Sequence, residues 1–325
     1  MNRMAHIGVV AVALVGMVVA TDVCVAEEAS PARNRAEVEA VLAKAPRTDV
    51  KEPKPLHVVL LAGDKDHKAD PYAHDYPLWQ KRWELLLGGA RCSAEKQANL
   101  FGPVRGDKAV FQGAANVKIG KAWHWPTGEQ FANSDVIIAF CYFDWDDERL
   151  TQMRQYLERG GGLVAVHAAT WPLNKQQHAA GWSLSKQRFP RAAEVLGVGG
   201  YGKYRHGSVE VKVVKPEHPL CTGLPETIHF DDETYWPPTP RMDGLEVLAT
   251  SDEITDDQGH KAPQPVLWTY TCGKGRVVGC QPGHSTWTFD DPYFRIVLLR
   301  GAAWAAGQSP YRFDGLVLRD ARVTK

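Results

Sequence analysis

The chain has 325 residues, 44% of them hydrophobic and 23% charged, the composition of one large globular unit or two small ones. Its 38 basic and 38 acidic side chains balance. No surplus of positive charge is left for a phosphate backbone, which argues against nucleic acid as a partner.

The N-terminus reads as a targeting segment. Arg3 supplies a positive start, Ile7 to Ala20 is an apolar run, and Cys24-Val25-Ala26 offers small residues for cleavage before Glu27. Residues 1–26 are therefore expected to be a secretory signal, with the mature chain periplasmic or secreted and without a stable membrane span. An uncleaved anchor is the alternative, and the run is short for one. Asp22 interrupts the small apolar residues that a lipoprotein cysteine at Cys24 would need. The five cysteines left after cleavage (Cys92, Cys141, Cys221, Cys272 and Cys280) are scattered, odd in number and without CxxC spacing. They make neither a zinc cluster nor a disulfide framework. One disulfide would suit an oxidising compartment, and spacing does not name its partners.

Residues 27–55 read as a short helix near Ala36–Lys44 followed by a linker marked by Pro46, Pro53 and Pro55. Leu56–Gly63 is a buried strand. A loop dense in Asp, His and Lys follows, from Asp64 to Tyr76. Pro77–Leu87 places Leu78, Trp79, Trp83 and Leu86 on one helical face, stopped by Gly88-Gly89. The stretch to about Gln130 reads as loop. Asp135–Phe143 is a strand, and a helix capped by Asp146 or Asp147 carries Leu150, Met153 and Leu157 to a stop at Gly160. Leu163–Val166 is the next buried strand. Such strand–helix–strand units predict a parallel sheet with right-handed crossovers.

Residues 171–206 have weak periodicity and read as an excursion over the sheet's rim. Val209, Val211 and Val213 alternate as in a half-exposed strand. Leu245–Thr250 is another strand, and Val266–Thr271 and Arg276–Cys280 flank a Gly273-Lys274-Gly275 hairpin turn. Asp291-Pro292 opens a last helix that ends near Gly307, leaving 308–325 as a tail.

His167 stands at the carboxyl end of the strand after Gly160-Gly161-Gly162, the end where open α/β sheets bind ligands. An imidazole there can act as acid, base or metal ligand; the plain alternative is a histidine hydrogen-bonded beneath a loop. The glycine run sits between helix and strand, the wrong order for a phosphate loop. Asp231, Asp232 and Glu233 stand between aromatic residues. Such carboxylates can orient an imidazole or serve opposite it, and the alternative is a solvated acidic turn. His284 ends a strand after Gly283, which permits close backbone approach. The first loop offers His67, His74 and Asp75 as ligands for zinc or another divalent ion, or else as helix caps and polar loop residues. Lys65 in that loop could neutralise an anion. Asp144 could bond a sugar hydroxyl or cap a helix. Trp145, with Trp123, Trp125, Trp171 and Trp236, belongs to a set of loop tryptophans suited to stacking on sugar faces.

The second half carries a specific series of segments: His218-Pro219-Leu220, Thr222-Gly223-Leu224-Pro225, Asp232-Glu233-Thr234-Tyr235, Pro265-Val266-Leu267-Trp268, Gly283-His284, Phe289-Asp290-Asp291-Pro292-Tyr293 and Gly301-Ala302-Ala303-Trp304. In this order they resemble the ThuA-like (trehalose utilisation) family, and the resemblance extends over residues 56–307. It implies a flavodoxin-like α/β fold of the class I glutamine amidotransferase type: an open, mostly parallel sheet with helices on both faces. Where amidotransferases carry a nucleophilic cysteine at the strand-to-helix elbow, this chain carries His167, so thiol-based amide hydrolysis is not expected. The resemblance further implies carbohydrate catabolism, with oxidised (3-keto) glycosides made by a partner oxidoreductase as substrates. On this reading His167 and Glu233 form an acid/base pair, His284 assists, and Asp144, Trp145, Asp232, Tyr235 and Lys65 bind the sugar. A non-catalytic carbohydrate-binding protein and a metal-dependent hydrolase are the competing readings.

Overall fold

The computed structural model describes residues 29–46, 53–104, 106–107, 111–183 and 186–325. The expected signal segment, with Ile7–Ala20 and Ala26, and the middle of the linker lie outside these residues.

In chain order the strands are β1 (Arg33–Asn34), β2 (Leu56–Ala62), β3 (Val117–Trp123), β4 (Val136–Ala139), β5 (Phe143–Trp145), β6 (Gly162–Val166), β7 (Pro172–Asn174), β8 (Tyr201–Val213), β9 (Thr227–Pro238), β10 (Glu246–Ile254), β11 (Lys261–Cys272), β12 (Gly275–Cys280) and β13 (Val323–Thr324). The helices are α1 (Arg35–Ala43), α2 (Tyr76–Gly88), α3 (Gly128–Asn133), α4 (Asp147–Glu158), α5 (Lys175–Ala179), α6 (Ala193–Leu196) and α7 (Pro292–Ala305). Nine strands form one sheet in the order β3-β2-β4-β6-β12-β11-β10-β8-β9. The first five are parallel neighbours. Ranked by chain position they read 2-1-3-4-5, the flavodoxin-like order, whose ligand crevice opens between the first and third strands. The remaining four join by antiparallel pairing, so only β11 and β8 run against the rest.

Local sequence explains the parallel half. β4 and β6 are apolar throughout, and β2 is apolar except for the half-buried His57 near its start, as strands covered on both faces must be. From β2 the chain steps one way along the sheet to β3, and from β4 the other way to β6. Right-handed crossovers therefore put α2 and α4 on opposite faces. Asp75 caps α2 through Leu78 N–H, with Pro77 in the first turn. Asp146 caps α4 through Arg149 N–H. Trp79, Trp83, Phe140 and Phe289 pack edge and tilt between α2, the end of β4 and the entry to α7.

The structure departs from the sequence reading in three places. β3 occupies part of the stretch read as loop; it is an edge strand with Lys118 and Lys121 along it, so its apolar alternation is faint. The acid run 231–233, to which periodicity assigns no element, is the middle of β9, paired along its length with β8, and not the alternative of a solvated turn. The segments on either side of 56–307 are packed on the domain. Val38 and Val41 of α1 are buried, as are Phe313, Leu316 and Val317 of the tail, and β1 pairs in parallel with β13. All five cysteines of the described residues are free thiols. Among the described residues no helix is long and apolar enough to cross a membrane.

Candidate functional site

The parallel strands deliver three histidines. His74 lies in the loop after β2, His167 follows β6 directly, and His284 follows β12. His167 opens a 3-10 turn, His167–Thr170, with φ of 52°, and His74 has φ of 48°. A side chain in the left-handed region at a strand's end is the geometry of a nucleophile elbow, here with an imidazole in place of the nucleophile. Such backbone costs free energy and persists where the surrounding structure enforces it. Gly283, at φ 133°, lets the β12 loop close on this elbow: a Cβ there would stand 3.1 Å from Val166 and 3.2 Å from His167.

The antiparallel half delivers the carboxylate. Strands β8 and β9 make only a short contact with β10, at Ala249 and Thr250, and reach back over the carboxyl ends of β6 and β12. Alternation along β9 sends Glu233 and Tyr235 to one face and Asp232 and Thr234 to the other. Glu233 Oε2 lies 3.2 Å from His167 Nε2 and 3.0 Å from His284 Nδ1. His74 Nε2 lies 2.8 Å from His167 Nε2. The Tyr235 hydroxyl is 2.7 Å from His167 Nε2 and donates to Glu233 Oε2 at 3.2 Å. His206, directly opposite Glu233 on β8, holds its Nε2 3.7 Å from Glu233 Oε1. His67 packs its ring against His74 and His284. Five of the chain's 12 histidines thus meet at one point.

Outer partners fix this cluster. His74 Nδ1 bonds Asp66 at 2.8 Å, and Asp66 also accepts from the Tyr76 hydroxyl. His167 Nδ1 bonds the Gln281 carbonyl at 2.7 Å. The Gln281 side chain accepts from Tyr235 N–H and Thr234 Oγ1 and donates to Tyr235 C=O, clasping β9 to β12. Burial alone would raise the Glu233 carboxyl, but hydrogen bonds and charge from His167 and His284 outweigh it and hold the group well below the usual carboxylate range. Burial drives His74 down to about 3 despite Asp66, so its ring is neutral at neutral pH. Asp66 is lowered: burial opposes ionisation, and His74, His67 and the Tyr76 hydroxyl overcome it. Burial holds Tyr235 well above its ordinary value, so it stays a donor.

The cluster floors a cavity of about 320 Å³ lined by His67, His74, Tyr142, Trp171, Tyr204, His206 and Glu233, the low end of small-molecule pockets. His167 is fully buried beneath it and reaches the cavity through Glu233 and His74. A second hollow shares His67 and Tyr142 and carries Lys65, Asp144, His178 and Trp182.

The structure brings His167, Glu233, His284, Tyr235, His74 and His67 together and places Asp75, Lys65, Asp144, Trp145 and Asp232 outside the cluster. Asp75 caps α2 and lies apart from the imidazoles, so His67, His74 and Asp75 do not form one ligand set. Lys65 donates to the Pro71 carbonyl and lies 3.5 Å from Asp75. Asp144 pairs with His178 at 2.6 Å on the wall of the second hollow. Trp145 is a core residue stacked on Phe189 and against Trp125, and lines neither of these two hollows. Asp232 is also sealed from the cavity; its carboxylate accepts from the N–H groups of Glu233, Gly283 and His284 and from Thr288 Oγ1. Sequence reasoning missed His206, Tyr142, Tyr204, Asp66 and Gln281. The alternation at Val209, Val211 and Val213 marks the end of β8 but does not extend back to His206, where Arg205, Gly207 and Ser208 carry no apolar pattern.

A family model described as trehalose utilisation (ThuA) matches residues 108–305, more than half of the chain. That span contains His167, His206, Glu233 and His284 but not Asp66 or His74. The solved structure of a ThuA-like protein from Bacteroides uniformis is 20% identical and superposes with a TM-score of 0.53, covering 82% of this chain and 98% of that one. A ThuA-like protein from Parabacteroides merdae is 19% identical with a TM-score of 0.49, covering 79% and 92%. No curated protein matches the chain. With the flavodoxin-like order and a histidine at the elbow already in place, the family model's span is decisive: the chain belongs to the ThuA (trehalose utilisation) family.

Proposed function

We propose that the chain is an exported carbohydrate-active enzyme whose cavity takes a sugar bearing an oxidised, keto carbon and moves protons beside that carbonyl. The observation that carries this reading is the ionised Glu233 carboxylate, set at a cavity floor between buried imidazoles on one side and His206 on the other. Enolisation needs a base at the carbon next to the carbonyl and a group that accepts charge on its oxygen. His206, on the cavity wall and paired to Glu233 Oε1, serves as the proton carrier. Glu233 orients it, with His167, His284 and Tyr235 holding Glu233 from below. Trp171, Tyr142 and Tyr204 offer ring faces and hydroxyls to a sugar. The outcome is isomerisation or elimination-type cleavage of a keto-glycoside supplied by a partner oxidoreductase.

The test is deuterium wash-in. Incubated with 3-keto-glucosides in heavy water, the protein should exchange the proton next to the carbonyl, read by NMR. Glu233→Gln should lower the rate by about 10²–10⁴-fold. Tight binding of these sugars with no exchange across a broad panel would instead make the chain a binding protein.

A further inference from the structure

We propose that His74, His167, His284 and Glu233 together hold a first-row divalent transition-metal ion of the zinc class at the floor of the cavity. The inference deepens the proton-transfer reading above and rests on it for the ion's use, though not for its binding.

Hydrogen-bond direction carries the argument. The Asp66 carboxylate and the Gln281 carbonyl only accept, so the Nδ1 atoms that face them at 2.8 and 2.7 Å carry the ring protons of His74 and His167. With one proton per ring, both Nε2 atoms present lone pairs 2.8 Å apart, and the Tyr235 hydroxyl, 2.7 Å from His167 Nε2, has one proton to share between that nitrogen and Glu233. Two lone pairs at that distance repel, and a cation bound by both makes the contact attractive. An acceptor on the far nitrogen of each ring is also the arrangement that orients metal-bound histidines. Glu233 Oε2 and His284 Nδ1 complete the set: the four ligand atoms all lie within 4.8 Å of one another. The close pairs span 2.8, 3.0 and 3.2 Å, against about 3.3 Å for bonds of about 2.0–2.1 Å at tetrahedral angles. Three imidazoles and one carboxylate suit zinc, cobalt, nickel or iron rather than calcium or magnesium.

Charge makes the ion useful. The Glu233 carboxylate places negative charge at the floor, which would oppose an enolate forming above it. A divalent ion reverses that sign and, by taking a fifth ligand, would accept the carbonyl oxygen. Glu233 Oε2 then faces the ion and Oε1 remains with His206, so one carboxylate links the ion to the proton carrier.

The experiment uses the full chain, stripped with chelator and titrated with Co²⁺. One Co²⁺ per chain should bind, with the strong visible absorption of a four-coordinate site, and Zn²⁺ should displace it. Glu233→Gln, which keeps the side chain's shape, and His284→Ala should each cut occupancy at least tenfold while far-ultraviolet circular dichroism is unchanged. Should His284→Ala not fold, Glu233→Gln decides alone. Asp66→Asn should weaken binding about 10–100-fold. His206→Ala should keep the ion and lose proton exchange. No stoichiometric Co²⁺ or Zn²⁺ uptake would overturn the site and leave a proton on His167 Nε2 to bridge the rings. Full deuterium exchange by metal-free protein would overturn the ion's role. Stoichiometric ion without any exchange would keep the site and sink the substrate reading alone.

Discussion

The two halves of the sheet build the site by different means. The parallel half places His74, His167 and His284 at strand ends, and two of them sit in left-handed backbone. The antiparallel half places His206, Glu233 and Tyr235 within strands, by alternation along β8 and β9. The first group is held by loops that must be clamped. The second is held by a ladder that needs no special backbone. Function at this rim therefore depends on the ties between the halves as much as on the residues that face the cavity.

The strongest tie is Asp232. Asp232→Ala would leave three buried N–H groups and the Thr288 hydroxyl without their acceptor, a loss on the order of 3–5 kcal/mol in urea unfolding. A loss under about 1 kcal/mol would mean that the halves hold together without it. Gly283→Ala comes next. Its φ of 133° and the crowding against Val166 and His167 should cost about 1–3 kcal/mol. The same change at Gly207, also at positive φ but with open space around its Cβ position, should cost less, because only the backbone term remains. His206→Ala should cost less than about 0.5 kcal/mol in urea unfolding, because the side chain is exposed on the cavity wall. A larger loss would show that the ribbon's own residues are structural.

A smaller effect separates buried from exposed thiols. Burial pushes Cys221 up to about 12 and Cys141 and Cys280 higher still, so at pH 8 they carry almost no thiolate. Cys92 is exposed. An aromatic disulfide reagent should label Cys92 rapidly in the native protein, leave those three silent, and label all of them in urea.

The parallel half was the more legible in sequence for the same reason that it is the more strained. Apolar runs such as Leu56–Ala62 and Leu163–Val166 announce buried strands, and chemistry at their carboxyl ends follows from the fold class. His167 and His284 could therefore be found by position. His74 was visible only as one of several histidines in a polar loop, and its ring reaches the cluster while its neighbour Asp75 turns away to cap α2. β9 was hard to read because its acids occupy strand positions normally given to apolar residues: Asp232 takes backbone N–H groups and Glu233 takes imidazoles. Polar partners supplied from elsewhere in the fold replace the hydrophobic pattern that periodicity detects. Lys65 illustrates the reverse case, a charged loop residue whose partners, Pro71 and Asp75, are near in sequence.

The pairing of β1 with β13 has a consequence for the order in which the chain can fold. Arg33 meets Val323 and Asn34 meets Thr324, Arg322 donates to the Ser30 carbonyl, and Ser30 in turn donates to Asp231 on the strand that carries Glu233. Residues 29–34 can dock only after nearly 300 later residues have been synthesised. This small separate sheet is thus made of contacts of very long sequence separation, which form slowly. During synthesis, the leading segment waits for the trailing one, and the backing of β9 is completed last.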